Sequence, residues 1–294
     1  MATNGTTRVS GPISGEQLAE IRARIIASNS DSGVSSGQTT PARTAAQSGL
    51  HMPKSGHYEA KETIPNTPLA ASVISVALGA AAGIAATCAF QPLLRWLGEA
   101  NWTWARPQLG IYLTAWATFH ILEFWTTAGW NFQKLSVDAF LLNNTNEYHI
   151  AHLVGLAEYF LSSYFWPAKF NSVVASPWVL VVGLLVAGQS FRSLAMVHAN
   201  KSFSHIVKTV KLEDHTLITH GVYSHPSYVG FFYWAVATQL LLSNIVSTIG
   251  FIVVLGRFFR SRIRDEEIHL TRFFGREYVD YKARVGSGLP FLGV

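Results

Sequence analysis

The chain has 294 residues, of which 49% are hydrophobic and only 13% are charged, with a formal net charge of +5 at pH 7. Because a typical soluble domain carries about 25% charged residues, this composition argues against an ordinary soluble globule and against a wholly disordered chain. No dense Lys/Arg stripe stands apart from the apolar runs, which argues against nucleic-acid binding. The single cysteine, Cys88, excludes an intramolecular disulfide and a cysteine-based zinc site.

Residues 1–68 differ in composition from the rest of the chain. They are rich in Ser, Thr, Gly, Ala and Pro and hold 11 of the charged side chains. Such a segment cannot bury enough apolar area to offset the entropy of ordering. We therefore predict a mostly disordered cytosolic tail, followed by a membrane-embedded domain over residues 69–294.

Four apolar runs have about the length needed to cross a bilayer, which is about 20 residues for a helix. They cover residues 69–90, 108–130, 148–166 and 178–197. Tryptophan and tyrosine crowd the ends of these runs, as in an interfacial aromatic belt. Each run is therefore predicted to be one membrane helix.

A fifth apolar stretch, residues 228–256, has no Asp, Glu, Lys or Arg. As a single helix it would be about 43 Å long, too long for a hydrocarbon core of about 30 Å without strong tilt. Ser243 and Asn244 offer a turn near its middle, and Lys/Arg on both flanks places both ends in the cytosol. We predict a helical hairpin, 228–242 and 245–259, in an all-α polytopic transmembrane bundle of about six helices. Both termini would be cytosolic, including the charged segment 257–294.

A hairpin brings its two ends together, and both ends of this one are polar. Arg262 and Glu266 are four residues apart and share a helix face. Ionisable groups at membrane depth usually mark a functional site, although a salt-bridge belt that only anchors the helix would have the same pattern. The side chains expected to meet are Tyr223, His225 and Tyr228 on one flank, and Arg260, Arg262 and Glu266 on the other.

The 11 histidines do not predict a metal centre. Only His149 and His152 have the spacing of a histidine box, and a membrane di-iron site needs several such boxes. His215, His220 and His225 are five residues apart, which turns successive rings to different helix faces. We therefore expect no metal.

Several ordered motifs between residues 124 and 291 resemble one family. They are DAFLLNNTNEY at 138–148, FSHIV at 203–207, HTLITHGVY at 215–223, HPSYVG at 225–230, RFF at 257–259, EE at 266–267, FGREYVDY at 274–281 and GLPF at 288–291. Together they resemble isoprenylcysteine carboxyl methyltransferase.

The resemblance implies a multi-pass enzyme of the endoplasmic reticulum membrane. Such an enzyme uses S-adenosylmethionine to esterify the C-terminal prenylcysteine carboxylate of CaaX proteins after proteolytic trimming, with membrane lipid around it. By motif, Arg262 corresponds to a substrate-binding and catalytic arginine, and Arg192 to a second arginine important to the family, although an anchor at the end of its helix fits Arg192 equally well. The implied cofactor-binding residues are Lys208, His215, Thr216, Leu217, Ile218, Tyr223, His225, Pro226, Ser227, Tyr228 and Glu266.

The chain departs from the family pattern at two places. Lys208 stands where the family commonly has a glutamine. Between Tyr223 and His225 there is only Ser224, whereas the family has about three more residues there, including an arginine. The alternatives are therefore the same fold made inactive by the short Tyr223–His225 link, a related lipid N-methyltransferase or sterol reductase, and a non-catalytic polytopic protein.

Overall fold

The computed structural model describes residues 63–90, 106–170, 175–207, 211, 216–217 and 223–290, with side chains of 175–179 excepted. Within these ranges the chain is helical and has no strand. Of the predicted tail, only residues 63–68 are described. Asn66 accepts a hydrogen bond from the backbone N–H of Val137, and Asn143 donates one to Thr63. The last residues of the predicted tail therefore pack against the folded body.

Seven α-helices account for most of the described chain. They are α1 (Pro68–Ala89), α2 (Pro107–Trp130), α3 (Asn146–Phe165), α4 (Ala175–Ala199), α5 (Pro226–Leu241), α6 (Ile245–Phe274) and α7 (Arg276–Arg284). Proline opens α1, α2 and α5, where its missing N–H costs no hydrogen bond. The predicted runs correspond to α1–α4, with ends that agree within three residues.

The predicted hairpin is present as α5, a turn at residues 242–244, and α6. Ser243 has a φ of 57°, and Glu158 of α3 accepts hydrogen bonds from the first three N–H groups of α6. The second arm differs from the prediction, because α6 continues past residue 259 to Phe274 and ends at Gly275 with a φ of 56°. The predicted bound marks the end of the apolar stretch, whereas the helix itself continues beyond it as an amphipathic helix.

The core lies where α2, α4 and α5 meet. Phe119 of α2 stacks on Trp234 of α5 with ring centroids 4.6 Å apart, and both are buried. Helices α4 and α5 approach so closely that a Cβ at Gly230 would lie 2.5 Å from the backbone nitrogen of Arg192. This close approach holds the start of α5 against the end of α4.

Two described helical segments are long and apolar enough to span a membrane by length and composition. They are Pro68–Ala89, with mean hydropathy 2.1, and Leu180–Ser202, with 1.7. Large apolar side chains are exposed along α1 and α6, including Val76 at 72% and Val246 at 71%. The count of six membrane helices stays a prediction.

Candidate active site

Polar groups from α5, α6 and the loop after α4 meet at the open end of the hairpin. The Tyr228 hydroxyl donates to Glu266 Oε2 over 2.6 Å and accepts from Arg262 Nε over 2.8 Å. A second Arg262 nitrogen, Nη2, donates to the backbone carbonyl of His205. Because Arg262 and Glu266 are one helical turn apart, a single tyrosine reaches both. The predicted meeting of Tyr228, Arg262 and Glu266 is confirmed.

His225 lies against the same group. Its ring is buried and stacks on Tyr228 with a centroid distance of 5.6 Å, and Tyr228 stacks in turn on Phe259 at 5.1 Å. The His225 nitrogens lie 3.8 Å from carboxylate oxygens of Glu266 and Glu267, which is too long for a hydrogen bond. His225 Nε2 is a buried atom without a hydrogen-bond partner among the described residues. The site therefore has an unused polar atom beside an anionic pair.

Glu267 is the second carboxylate at this end, and Lys282 of α7 donates to it over 2.8 Å. Burial alone would raise the pKa of Glu267, but the neighbouring His225 and Lys282 outweigh burial, so its pKa lies below the usual carboxyl value. Glu266 is more open, with 29% of its side chain exposed. The site therefore carries negative charge at an accessible carboxylate.

Tyr223 lies beside the site, in the same apolar cluster as Tyr228 and Phe259. Its ring packs on Phe191 and on Gly288, where an added Cβ would lie 2.5 Å from a ring carbon. Gly288 also has a φ of 74°, which favours glycine. The Tyr223 carbonyl accepts from Tyr281, and the next N–H, of Ser224, donates to the Gly286 carbonyl. The short Tyr223–His225 link is thus held by α7 and the loop that follows it.

Arg260 is a correction to the sequence interpretation. We expected it to face the site, but its side chain is exposed. Arg260 and Arg262 are about 200° apart around the helix, so only one of them can point at Tyr228. Arg262 is the one that contacts Tyr228.

A second polar cluster lies deeper, between α2 and α4. Glu123 Oε1 and Oε2 accept from Arg192 Nε (2.6 Å) and Nη2 (2.8 Å), and His205 Nε2 donates to Glu123 over 3.0 Å. Arg192 Nη1 also donates to the Ser227 hydroxyl over 2.9 Å. Sequence reasoning missed Glu123, although an acidic residue inside an apolar run is itself a signal.

The other predicted site residues divide between described and undescribed parts. Pro226 and Ser227 form the first turn of α5, beside His225. Thr216 is exposed and its N–H donates to Ser202 over 3.3 Å, and Leu217 is half-buried. Lys208, His215 and Ile218 lie outside the described residues.

The arrangement can bind both an anion and a cation. Arg262 uses two of its five N–H donors on described residues, so its other donors can hold a carboxylate. The partly exposed carboxylate of Glu266 suits a cation. Among the described residues, no group of three or more His, Cys, Asp or Glu side chains could hold a metal.

Comparison with known proteins agrees with this chemistry. Residues 181–272 match a sequence model of the isoprenylcysteine carboxyl methyltransferase (ICMT) family. The chain is 46% identical over 189 residues to the protein-S-isoprenylcysteine O-methyltransferase of Saccharomyces cerevisiae, covering 62% of this chain and 79% of that protein. It is 42% identical over 227 residues to the enzyme of the same name from Schizosaccharomyces pombe, covering 72% and 96%.

A solved structure of the eukaryotic intramembrane Ras methyltransferase ICMT also matches. The TM-score is 0.60 at 36% identity, over 63% of this chain and 67% of that one. Its match confirms an all-helical fold shared with a membrane enzyme. At these identities and coverages, the chain belongs to the isoprenylcysteine carboxyl methyltransferase family.

Proposed function

We propose that this chain is a protein-S-isoprenylcysteine O-methyltransferase that esterifies the C-terminal carboxylate of prenylated proteins. The observation that carries the proposal is the meeting of Arg262, Tyr228 and Glu266 at the open end of the hairpin. The names of the relatives favour this activity over lipid N-methylation, sterol reduction or a non-catalytic role, and over an inactive variant. The methyl donor is S-adenosylmethionine, and the substrate is a CaaX protein after proteolytic trimming.

The residues present fit such a donor. His225 Nε2 is buried without a partner among the described residues, and Glu266 is anionic and partly exposed. When bound, the donor supplies an electrophilic methyl group on a positively charged sulfur. The carboxylate of Glu266 favours that charge. The full donor-binding set is the one that the family motifs imply, including Lys208, His215 and Ile218.

Arg262 holds the substrate carboxylate. A carboxylate is ionised at pH 7, so no general base is needed. Because Tyr228 and the His205 carbonyl already engage Nε and Nη2, Arg262 cannot grip both carboxylate oxygens with its Nε edge. The N–H donors left on Nη1 and Nη2 hold the carboxylate, and an oxygen lone pair that they do not engage stays free to react. The Tyr228 proton is committed to Glu266, so Tyr228 orients Arg262 and donates nothing to the substrate.

Arg192 acts from a distance. Its guanidinium is neutralised by Glu123 and touches Ser227 in the first turn of α5. It is therefore a positioning residue, which sets the start of α5 and with it His225 and Tyr228.

The protein sits in the endoplasmic reticulum membrane with about six helices and cytosolic termini. The body is residues 69–294, and residues 1–68 form the tail. The site then lies between lipid and cytosol, where a prenyl group enters from the bilayer. Exclusion of water from both reacting groups favours a reaction that neutralises charge.

The test is ester formation by membranes that contain the full chain. Labelled S-adenosylmethionine and a farnesylcysteine analogue should yield a base-labile methyl ester. Arg262→Ala should abolish the ester, and Arg272→Ala, which removes an exposed charge nearly three turns further along α6, should not. If the chain makes no ester but a variant with three residues, including an arginine, inserted before His225 does, the inactive-variant alternative is right.

A further inference from the structure

Helix α6 presents two opposite faces over the same turns. Arg262 and Glu266 point to Tyr228. Arg257, Arg260 and Arg264 are exposed, and at about 100° per residue they fall within a sector about 60° wide. Arg264 is about 160° from Arg262 around the helix. These three residues, the arginine row, are therefore separate from the candidate active site.

The arginine row continues an exposed aliphatic face. Ile245, Ile249 and Val253 precede it at helical spacing and are 67%, 60% and 53% exposed. One face of a single straight element thus changes from aliphatic to cationic at Arg257. That is the pattern expected where a helix passes from hydrocarbon into the headgroup layer.

Within the part of the chain that the structure describes, no salt bridge neutralises the positive charge of the row. Among the described residues, three carboxylates near the end of α6 are engaged elsewhere: Glu266 with Tyr228, Glu267 with Lys282, and Asp280 with Arg276. Asp265 is exposed and follows Arg264 in the sequence, but it lies about 100° from Arg264 around the helix and forms no ion pair with the row. None of the three arginines has an ion-pair partner in this part of the chain. Three guanidinium groups in one sector match the phosphate geometry of lipid headgroups.

We propose that the arginine row binds the phosphates of anionic phospholipids in the cytosolic leaflet and fixes the depth of α6. The proposal rests on the membrane placement given under the proposed function. Because the row lies opposite Arg262, it does not contact the substrate carboxylate. Its effect is to set the height of Arg262 and Glu266 relative to the membrane surface, where a prenylated substrate presents its carboxyl group.

The experiment uses the full chain reconstituted in two vesicle types, pure phosphatidylcholine and phosphatidylcholine with about one third phosphatidylserine. In the anionic vesicles we expect a higher melting temperature and a KM for the farnesylcysteine analogue that is severalfold lower. The triple variant R257Q/R260Q/R264Q should lose both differences. The triple lysine variant at the same positions should keep most of them, which separates lost charge from misfolding.

The matched control removes three other exposed charges, as R272Q/R276Q/R284Q. It should respond to phosphatidylserine like the unaltered chain. An equal loss in both glutamine variants would overturn the proposal, as would equal responses in all variants. Soluble glycerol phosphate, added to the chain in detergent, is a further control. If it raises the melting temperature as much as anionic vesicles do, the arginine row does not require a lipid surface and the proposal is overturned. The melting temperature needs no catalysis, so it decides the lipid site even if no ester forms.

Discussion

The molecule holds two arginine–carboxylate clusters that differ in how completely they are satisfied. Around Glu123 and Arg192 the carboxylate is 1% exposed, and described partners engage Nε, Nη1 and Nη2 of the guanidinium. Around Arg262 and Glu266 the carboxylate is 29% exposed and the arginine keeps donors to spare. A saturated buried pair fixes structure, whereas an unsaturated, partly open pair can bind a ligand. An arginine–carboxylate pair therefore has a structural role around Glu123 and a ligand-binding role around Glu266.

The largest effect should follow from breaking the closed cluster. Glu123→Ala leaves Arg192 buried and unpaired, which should lower the free energy of unfolding by about 3–5 kcal/mol. Glu266→Ala removes a partly exposed carboxylate and should cost about 1 kcal/mol or less. Thermal unfolding in detergent micelles measures both. Equal losses would contradict the distinction between the two clusters.

The open cluster should respond in activity instead. Arg262→Lys keeps the charge, but lysine cannot contact Tyr228, the His205 carbonyl and a carboxylate together. The transition state should therefore lose about 2–3 kcal/mol of stabilisation, which is measured as a lower kcat/KM. The melting temperature should stay within the range of Arg272→Lys, the control on an exposed position of α6. A fall in stability with unchanged kcat/KM would show Arg262 to be an anchor.

Gly288 tests whether the loop after α7 belongs to the open cluster. Gly288→Ala places a Cβ against the Tyr223 ring at a positive φ, which should cost about 1–3 kcal/mol in stability. If Tyr223 lines the donor pocket, KM for S-adenosylmethionine should rise more than KM for the prenyl substrate. Gly286→Ala, where an added Cβ meets nothing within 4 Å, is the control. Parallel changes in both KM values would argue against a donor-side role.

The smallest effect concerns pH. Because the pKa of Glu267 is lowered in the folded protein, its ionisation contributes stability above the unfolded carboxyl pKa of about 4.3, and that contribution is lost as the pH falls through the folded value. Lys282→Met should therefore lower the melting temperature near neutral pH and change it little in acid, with an effect of about 0.5–1 kcal/mol. Arg276→Met, in an exposed pair with Asp280, should leave the profile unchanged. A loss that is constant with pH would contradict this account.

The sequence predicted the hairpin because an uncharged stretch longer than a bilayer, with Ser243 and Asn244 near its middle, has few other solutions. The hairpin in turn brought Tyr228, Arg262 and Glu266 together, since the last two share a helix face. The second arm was predicted to end at residue 259, whereas the helix runs on to Phe274, because its amphipathic part lacks the continuous apolar run that defined the arm.

Other parts of the site depend on contacts between distant segments. Glu123 and Arg192 are 69 residues apart, and no local spacing pairs them. Lys282 reaches Glu267 only because Gly275 turns α7 back along α6. The contact of Tyr223 with Gly288 likewise depends on the loop after α7, which motif matching does not describe.

His205 belongs to both clusters at once. Its ring donates to Glu123, and its own carbonyl receives Arg262. The orientation of Arg262 thus depends on Glu123 of α2, because both contact His205 in the loop after α4. Substitutions in α2 that shift Glu123 should therefore change the rate of catalysis without altering any group that contacts the substrate. A compound that binds beside the His205 ring and displaces it should inhibit the enzyme without occupying the active site.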